Sequence, residues 1–204
     1  MTGDPVTTAL HVLTICGSLG DASANRAALR VVQQAFVDAG ASVVDDASLG
    51  DIPPLHPDHV DEPGEGVTTF RRQIAAADAV VIAAPEYAGS LAGTIKNALD
   101  WVVGSGDLYE KPVGILSAGT TGGPFAREVL ARTLLWQGAH VVAQLGIAAP
   151  RTKSDERGEL TDAATLTALR DFAGAVVAAT TMSSAERAEV SRVVAASAGA
   201  SRQQ

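Results

Sequence analysis

The sequence predicts an α/β three-layer sandwich built on a five-stranded parallel sheet. Three observations carry this. Short apolar runs alternate with helically spaced apolar stripes along most of the chain, the pattern of repeated strand–helix units. One run, AVVIAA at 79–84, is continuously apolar, as a strand covered on both faces must be. Three of the strands lead into loops rich in glycine, serine and threonine, each followed by a helix.

The first strand is HVLTIC, residues 11–16, followed by the loop GSLGDASAN. A helix is expected over about 25–39, with Ala28, Val31, Val32, Ala35 and Phe36 on one face and Gly40 as its C-cap. A short second strand falls at 42–44. Residues 46–66 carry five prolines and glycines between Pro53 and Gly64 and read as a polar surface connection. A helix over 67–77 leads to the third strand, 79–84. The loop PEYAGSLAG follows, and the helix after it presents Ile95, Ala98, Leu99 and Val102 as one stripe. The fourth strand is 112–116 and its loop is SAGTTGG. A helix over 125–137 ends at Gly138, and the fifth strand is 140–145. Residues 150–160 read as loop and 162–179 as the last core helix. Residues 9–180 form the expected domain, and 181–204 a tail that is helical or frayed.

Five parallel strands with right-handed crossovers favour the order 2-1-3-4-5, the flavodoxin-like arrangement. In that order the chain reverses between strands one and three, and ligands bind outside the carboxyl ends of the strands there. The loops after strands one, three and four are therefore expected side by side.

The chain has 204 residues, 47% of them apolar, enough for one core. A net charge of −8 and 4% aromatics argue against a nucleic-acid surface. No apolar run is long enough to span a bilayer, so no membrane insertion is expected. Cys16 is the single cysteine, which excludes an intrachain disulfide and fits a reducing, cytoplasmic location. The residues before it lack basic side chains and include Asp4 and Pro5, unlike a signal peptide. His11, His56, His59 and His140 have no metal-ligand spacing, and no metal is expected.

The first loop offers Ser18, Ser23 and Asn25 at a helix start, a combination that suits a phosphate monoester and equally a plain helix cap. It has neither a Walker Gly-Lys-Ser/Thr nor GxGxxG. The second loop offers backbone donors and Tyr87 to a planar ring. There Glu86 reads either as a ligand contact or as a solvated charge. In the third, the glycines let backbone approach a flat polar edge closely. Together the three loops point to a mononucleotide.

These residues resemble the NADPH-dependent FMN reductase family, a flavodoxin-like group that includes quinone, chromate and azo-dye reductases. The resemblance runs from about residue 11 to 175. It is strongest in PEYAGSLAGTIKNALDW, against the family's PEYNGSxPGxLKNAIDW. The first loop matches GSLRxxSxN at Gly17, Ser18, Leu19, Ser23 and Asn25. The resemblance implies FMN phosphate contacts at Ser18, Leu19, Ser23 and Asn25. It implies flavin contacts at Pro85, Glu86, Tyr87, Ala88, Gly89 and Ser90, and at Ser117, Gly119, Thr120, Gly122 and Gly123.

It further implies a homodimer or homotetramer, with the helix over 95–103 at the interface. Two departures stand out. Gly20, followed by Asp21, replaces the family's arginine, a loss expected to weaken FMN or NADPH binding about ten- to a hundredfold. Ala88 replaces asparagine and removes a polar group near the flavin. Arg26, in the first helical turn, is a candidate to compensate for the lost charge, with an exposed position the stronger expectation.

The activity implied is hydride transfer from NADPH or NADH to bound FMN, then ping-pong transfer to free flavin, a quinone or another small acceptor. The cofactor carries that chemistry, so no catalytic acid or base is assigned. Two alternatives remain at this level: a flavin-binding electron carrier or sensor that does not use pyridine nucleotide, and a flavin-free interaction subunit.

Overall fold

Valine, isoleucine and alanine fill the central strands because helices cover both faces of the sheet. The computed structural model describes residues 9–45 and 49–200. In chain order the main elements are β1 (His11–Cys16), α1 (Ala24–Asp38), β2 (Ser42–Asp45), α2 (Glu65–Ala76), β3 (Ala79–Ala83), β4 (Glu86–Tyr87), β5 (Ser90–Leu91), α3 (Gly93–Asp100), β6 (Pro112–Gly119), α4 (Pro124–Trp136), β7 (His140–Ala148), α5 (Ala163–Thr180) and α6 (Ser184–Ala200). The main sheet is parallel, in the order β2-β1-β3-β6-β7, the flavodoxin-like order expected. β3 is buried at every position and pairs with β1 from Val12↔Ala79 to Cys16↔Ala83.

Three of the helices are closed by identifiable contacts. Ser23 caps α1, and the Ala39 and Gly40 amides return to carbonyls of its last turn, Gly40 at φ +81°. Asp162 caps α5 by accepting from the Thr165 amide and hydroxyl. The α2 end is closed from a distance. The Lys111 ammonium donates to the Ile74, Ala75 and Ala77 carbonyls, and its partial burial lowers its pKa. Two apolar layers lie either side of the sheet. One joins Phe70, Ile74, Ile95, Leu99 and Leu134, the other Leu29, Val32, Phe36, Leu169 and Phe172.

The structure departs from the sequence reading at three places, and at a fourth the chain takes one of the two forms expected. β6 and β7 run three residues further than expected, because their ladder continues through Ser117↔Gly146, Ala118↔Ile147 and Gly119↔Ala148. Ser117 and Gly119 are therefore strand residues. The second loop contains a hairpin, β4–β5. The Ile95, Ala98, Leu99 and Val102 stripe faces the protein's own core, not an exposed interface. Beyond 180 the chain forms α6, which lies along edge strand β7. There Ser191 Oγ accepts the Val141 N–H at 3.1 Å, giving an edge amide a partner it would otherwise lack.

Candidate functional site

The carboxyl ends of β1, β3 and β6 carry the three loops, and specific contacts hold them as one unit. Gly17, directly after β1, donates to the Ala83 carbonyl at 2.9 Å and accepts from Thr94 Oγ1 at 3.1 Å. A Cβ at Gly17 would overlap the Ile95 side chain and crowd Pro85. Only glycine lets the first loop pass this close to the second loop and α3. Beyond it, the backbone N–H groups of residues 18–22 have no acceptor among the described residues. They lie ahead of the α1 N-terminus, whose first turn holds no acid. That is an anion-receptive arrangement. Ser18 is half-buried, Leu19 is exposed, and Ser23 Oγ accepts the Arg26 amide at 3.5 Å.

Asn25 stands differently from the sequence expectation. It is 4% exposed, and its side-chain amide pairs with the Ala118 backbone through Nδ2 to O at 3.1 Å and N to Oδ1 at 2.9 Å. It braces α1 against β6, with its Oδ1 and one Nδ2 hydrogen engaged by the Ala118 backbone. Both of its partners are main-chain groups of a central strand, which a buried amide matches better than it would an exposed anion.

In the second loop, Tyr87, Ala88, Gly89 and Ser90 are exposed while Pro85 and Leu91 are buried. Ala88 and Gly89 are the two central residues of the β4–β5 hairpin, at φ +51° and +67°. This is the type I′ pattern, for which Asn-Gly is the preferred pair. The asparagine that Ala88 replaces would therefore serve the turn itself, a role the sequence reading assigned to the flavin edge.

Glu86 is not a solvated charge. Its Oε2 accepts the Phe125 N–H at 2.8 Å and the Ala126 N–H at 3.1 Å, both in the first turn of α4. The helix has Gly123 at its N-cap and no local side chain to do this. A carboxylate at a helix N-terminus is favoured by both hydrogen bonding and the dipole.

The third loop is short, 120–123. Thr120 is exposed and Gly119 partly so. Ser117 is wholly buried, and its Oγ has no partner among the described residues. Gly123, at φ +61°, lies directly against it, leaving no room for a Cβ. Gly122 is held by Arg127 Nε, which donates to its carbonyl at 3.2 Å. Burial lowers the Arg127 pKa, and the Glu86 charge opposes that shift. Ser117 thus supports the loop from beneath, while Gly119 and Thr120 remain accessible.

Sequence reasoning missed two residues here and misjudged the exposure of a third. Asn97 donates to the Ile52 and Pro53 carbonyls at 3.3 and 2.9 Å and accepts the Leu55 N–H at 2.9 Å. Trp101 Nε1 also donates to the Pro53 carbonyl, at 2.8 Å. Asn97 and Trp101 of the KNALDW half of the long motif therefore clamp the proline-rich connection. Arg26 turns back to the first loop, its Nη2 donating to the Ser18 carbonyl at 3.4 Å. An asparagine and tryptophan four apart on one helix were the available signal for the clamp; for Arg26 the signal was its place in the first turn of α1, and only its exposure was misjudged.

An apolar cavity of about 330 Å³ lined by Val12, Leu13, Val44 and Ala77 lies between β1, β2 and α2 and includes no residue of the three loops. Among the described residues no three His, Cys, Asp or Glu side chains are grouped to hold a metal. Nor is any helix there long and apolar enough to cross a membrane.

A flavodoxin-like sheet with three interlocked loops at its topological switch point defines a mononucleotide-binding α/β protein. A family model described as NADPH-dependent FMN reductase matches residues 10–153, and the chain belongs to that family. It is 38% identical over 165 residues to an NAD(P)H-dependent FMN reductase of Pseudomonas aeruginosa, covering 75% of this chain and 85% of that one. It is 34% identical over 166 residues to a quinone reductase of Escherichia coli strain K12, covering 77% and 88%. A flavoenzyme NAD(P)H:(acceptor) oxidoreductase from Paracoccus denitrificans superposes with a TM-score of 0.71 at 27% identity, covering 84% of this chain and 97% of that one.

Proposed function

We propose that the protein is an FMN-dependent NAD(P)H oxidoreductase that reduces free flavin, a quinone or another small acceptor by a ping-pong mechanism. The open amides of residues 18–22 at the α1 N-terminus, beside an exposed hairpin and a glycine-rich turn, carry this reading. When bound, FMN supplies the hydride-accepting and electron-donating chemistry. The chain's part is to bind and orient it. Ser18, Leu19 and Ser23 with their loop amides take the phosphate end. Residues 85–90 form the bed for the ring, with Tyr87, Ala88, Gly89 and Ser90 accessible to it. Gly119 and Thr120 meet the ring's polar edge across Gly122 and Gly123. Backbone donors fixed in place favour the negative charge that reduction adds. Glu86 and Asn25 hold the donors in register from outside the ligand.

The test is direct. Purified protein is titrated with FMN, then mixed with NADPH or NADH without air, and flavin absorbance is followed. Binding with bleaching is expected. Flavin that binds but is never bleached by either nucleotide overturns the reductase reading.

A homodimer is part of this proposal, through α4 rather than through the core-facing stripe of α3. Phe125 and Trp136, 46% and 87% exposed, lie at i and i+11 on α4, with Val129 and Arg132 between them on the same face. Gln137 Nε2 donates to the Leu99 carbonyl, bringing the ends of α3 and α4 together near exposed Val103. A second copy would remove this apolar surface from water. Sedimentation equilibrium is expected to give a dimer, and Trp136→Asp a monomer. A cytoplasmic location and a single binding unit over 9–180, flanked by α6, complete the reading.

A further inference from the structure

We propose that Arg26 is the cation that recognises the phosphate end of the ligand, reaching the first loop from the helix behind it. The inference rests on the flavin reading above and assigns the charge that the loop itself lacks. Gly20, at the exposed tip of the first loop, has no side chain, and its neighbour Asp21 is negative. Within residues 17–30 the other cation, Arg30, is engaged with Glu159 at 2.7 Å. Arg26 is left.

Arg26 lies in the first turn of α1, three residues after the Ser23 cap. An arginine there would ordinarily extend into solvent. Instead it is half-buried and folds back so that Nη2 meets the Ser18 carbonyl. That contact places the guanidinium beside the open amides of 18–22. Its Nε is fully buried with no acceptor, and the group pairs with no carboxylate among the described residues. A guanidinium has five N–H donors, and here one is used, on a neutral carbonyl. Leaving a buried charged donor unsatisfied is costly. A phosphate monoester would take the Nη hydrogens that the Ser18 carbonyl leaves over. It carries two negative charges and several acceptor oxygens, and it matches the planar fork of arginine. The Ser18 and Ser23 hydroxyls and the α1 N-terminus lie within the same short segment. The unused Nη donors, the receptive helix end and the missing loop charge are thus answered by one anion.

Arg26 could also be only a brace for the loop, and the two roles predict different binding. Flavin-fluorescence titrations compare FMN with riboflavin, which has the same ring and no phosphate, in wild type, Arg26→Met and Arg26→Gln. The methionine keeps the apolar stem without the charge. Wild type is expected to prefer FMN. Both variants are expected to bind FMN about ten- to a hundredfold more weakly, with riboflavin affinity unchanged. Added salt should weaken FMN binding more in wild type than in the variants. Unchanged FMN affinity in the variants overturns the proposal. Equal weakening of both flavins also overturns it, since that is the signature of a brace. Wild type that binds both flavins equally removes the phosphate role but leaves the flavin reading standing. Wild type that binds neither overturns both.

Discussion

The Glu86 carboxylate accepts the Phe125 N–H at 2.8 Å, so the second loop holds the first turn of the helix that follows the third. With the Ala126 N–H on the same oxygen, one side chain ties the second loop to the helix after the third. A hydrogen bond to a charged group is worth about 1.5–3 kcal/mol. Glu86→Ala is expected to lower the urea midpoint by a destabilisation of that size and to weaken FMN binding. Glu86→Gln keeps an acceptor without the charge and should fall between. An alanine variant with an unchanged midpoint would show that the bond does not join the loops energetically.

Ala88 occupies a left-handed position in a two-residue hairpin. A non-glycine residue there costs about 1–2 kcal/mol, less for asparagine, which hydrogen-bonds locally. Ala88→Asn is expected to raise stability by about 1 kcal/mol with the urea slope unchanged. A neutral or destabilising result would mean that the turn is not strained at this residue.

Asn97 makes three hydrogen bonds to the 52–55 segment. Asn97→Ala leaves the Leu55 N–H and two carbonyls without this partner and should cost about 1–3 kcal/mol. Limited proteolysis should then cut the segment faster. Trp101→Phe removes one further donor to Pro53 and should show a smaller effect in the same direction. Equal cleavage rates in wild type and Asn97→Ala would argue that the clamp is dispensable.

His140 begins β7, and Ser184 Oγ of α6 lies 3.4 Å from its Nε2. Desolvation and the nearby Arg187 charge lower its pKa, while Glu110 opposes them. The folded state therefore takes up the proton less readily than the unfolded chain, whose histidine titrates near ~6.5. Stability linked to His140 is present above that pH and is lost as pH falls from there through the folded value. Urea midpoints measured from pH 7.5 downward should decline more steeply in wild type than in His140→Gln. Parallel declines would place the acid sensitivity elsewhere.

The fold was legible because its signals are local. The 3.6-residue spacing of Ala28, Val32 and Phe36, and the unbroken apolar run of β3, each fit within one element. The ends of β6 and β7 were not, since Ser117 and Gly119 look like loop residues until β7 supplies their ladder partners. Within the site, the long motif from Pro85 to Trp101 marked the right place in the fold. It did not reveal that Glu86 serves α4, that Ala88 serves a turn, and that Asn97 and Trp101 serve a connection.

By itself the sequence determined the order of strands and helices, the topological switch point of the sheet, and the family to which the chain belongs. Periodicity and loop chemistry are written in neighbouring residues, and packing a covered parallel sheet leaves few topologies. Only the tertiary structure decided which polar side chains are free for a ligand. Asn25 finds Ala118 across 93 residues and Glu86 finds Phe125 across 39, while Arg26 is left with the loop beside it. A buried polar atom takes whatever partner the fold brings within hydrogen-bond reach, and that distance is set by packing, not by position along the chain.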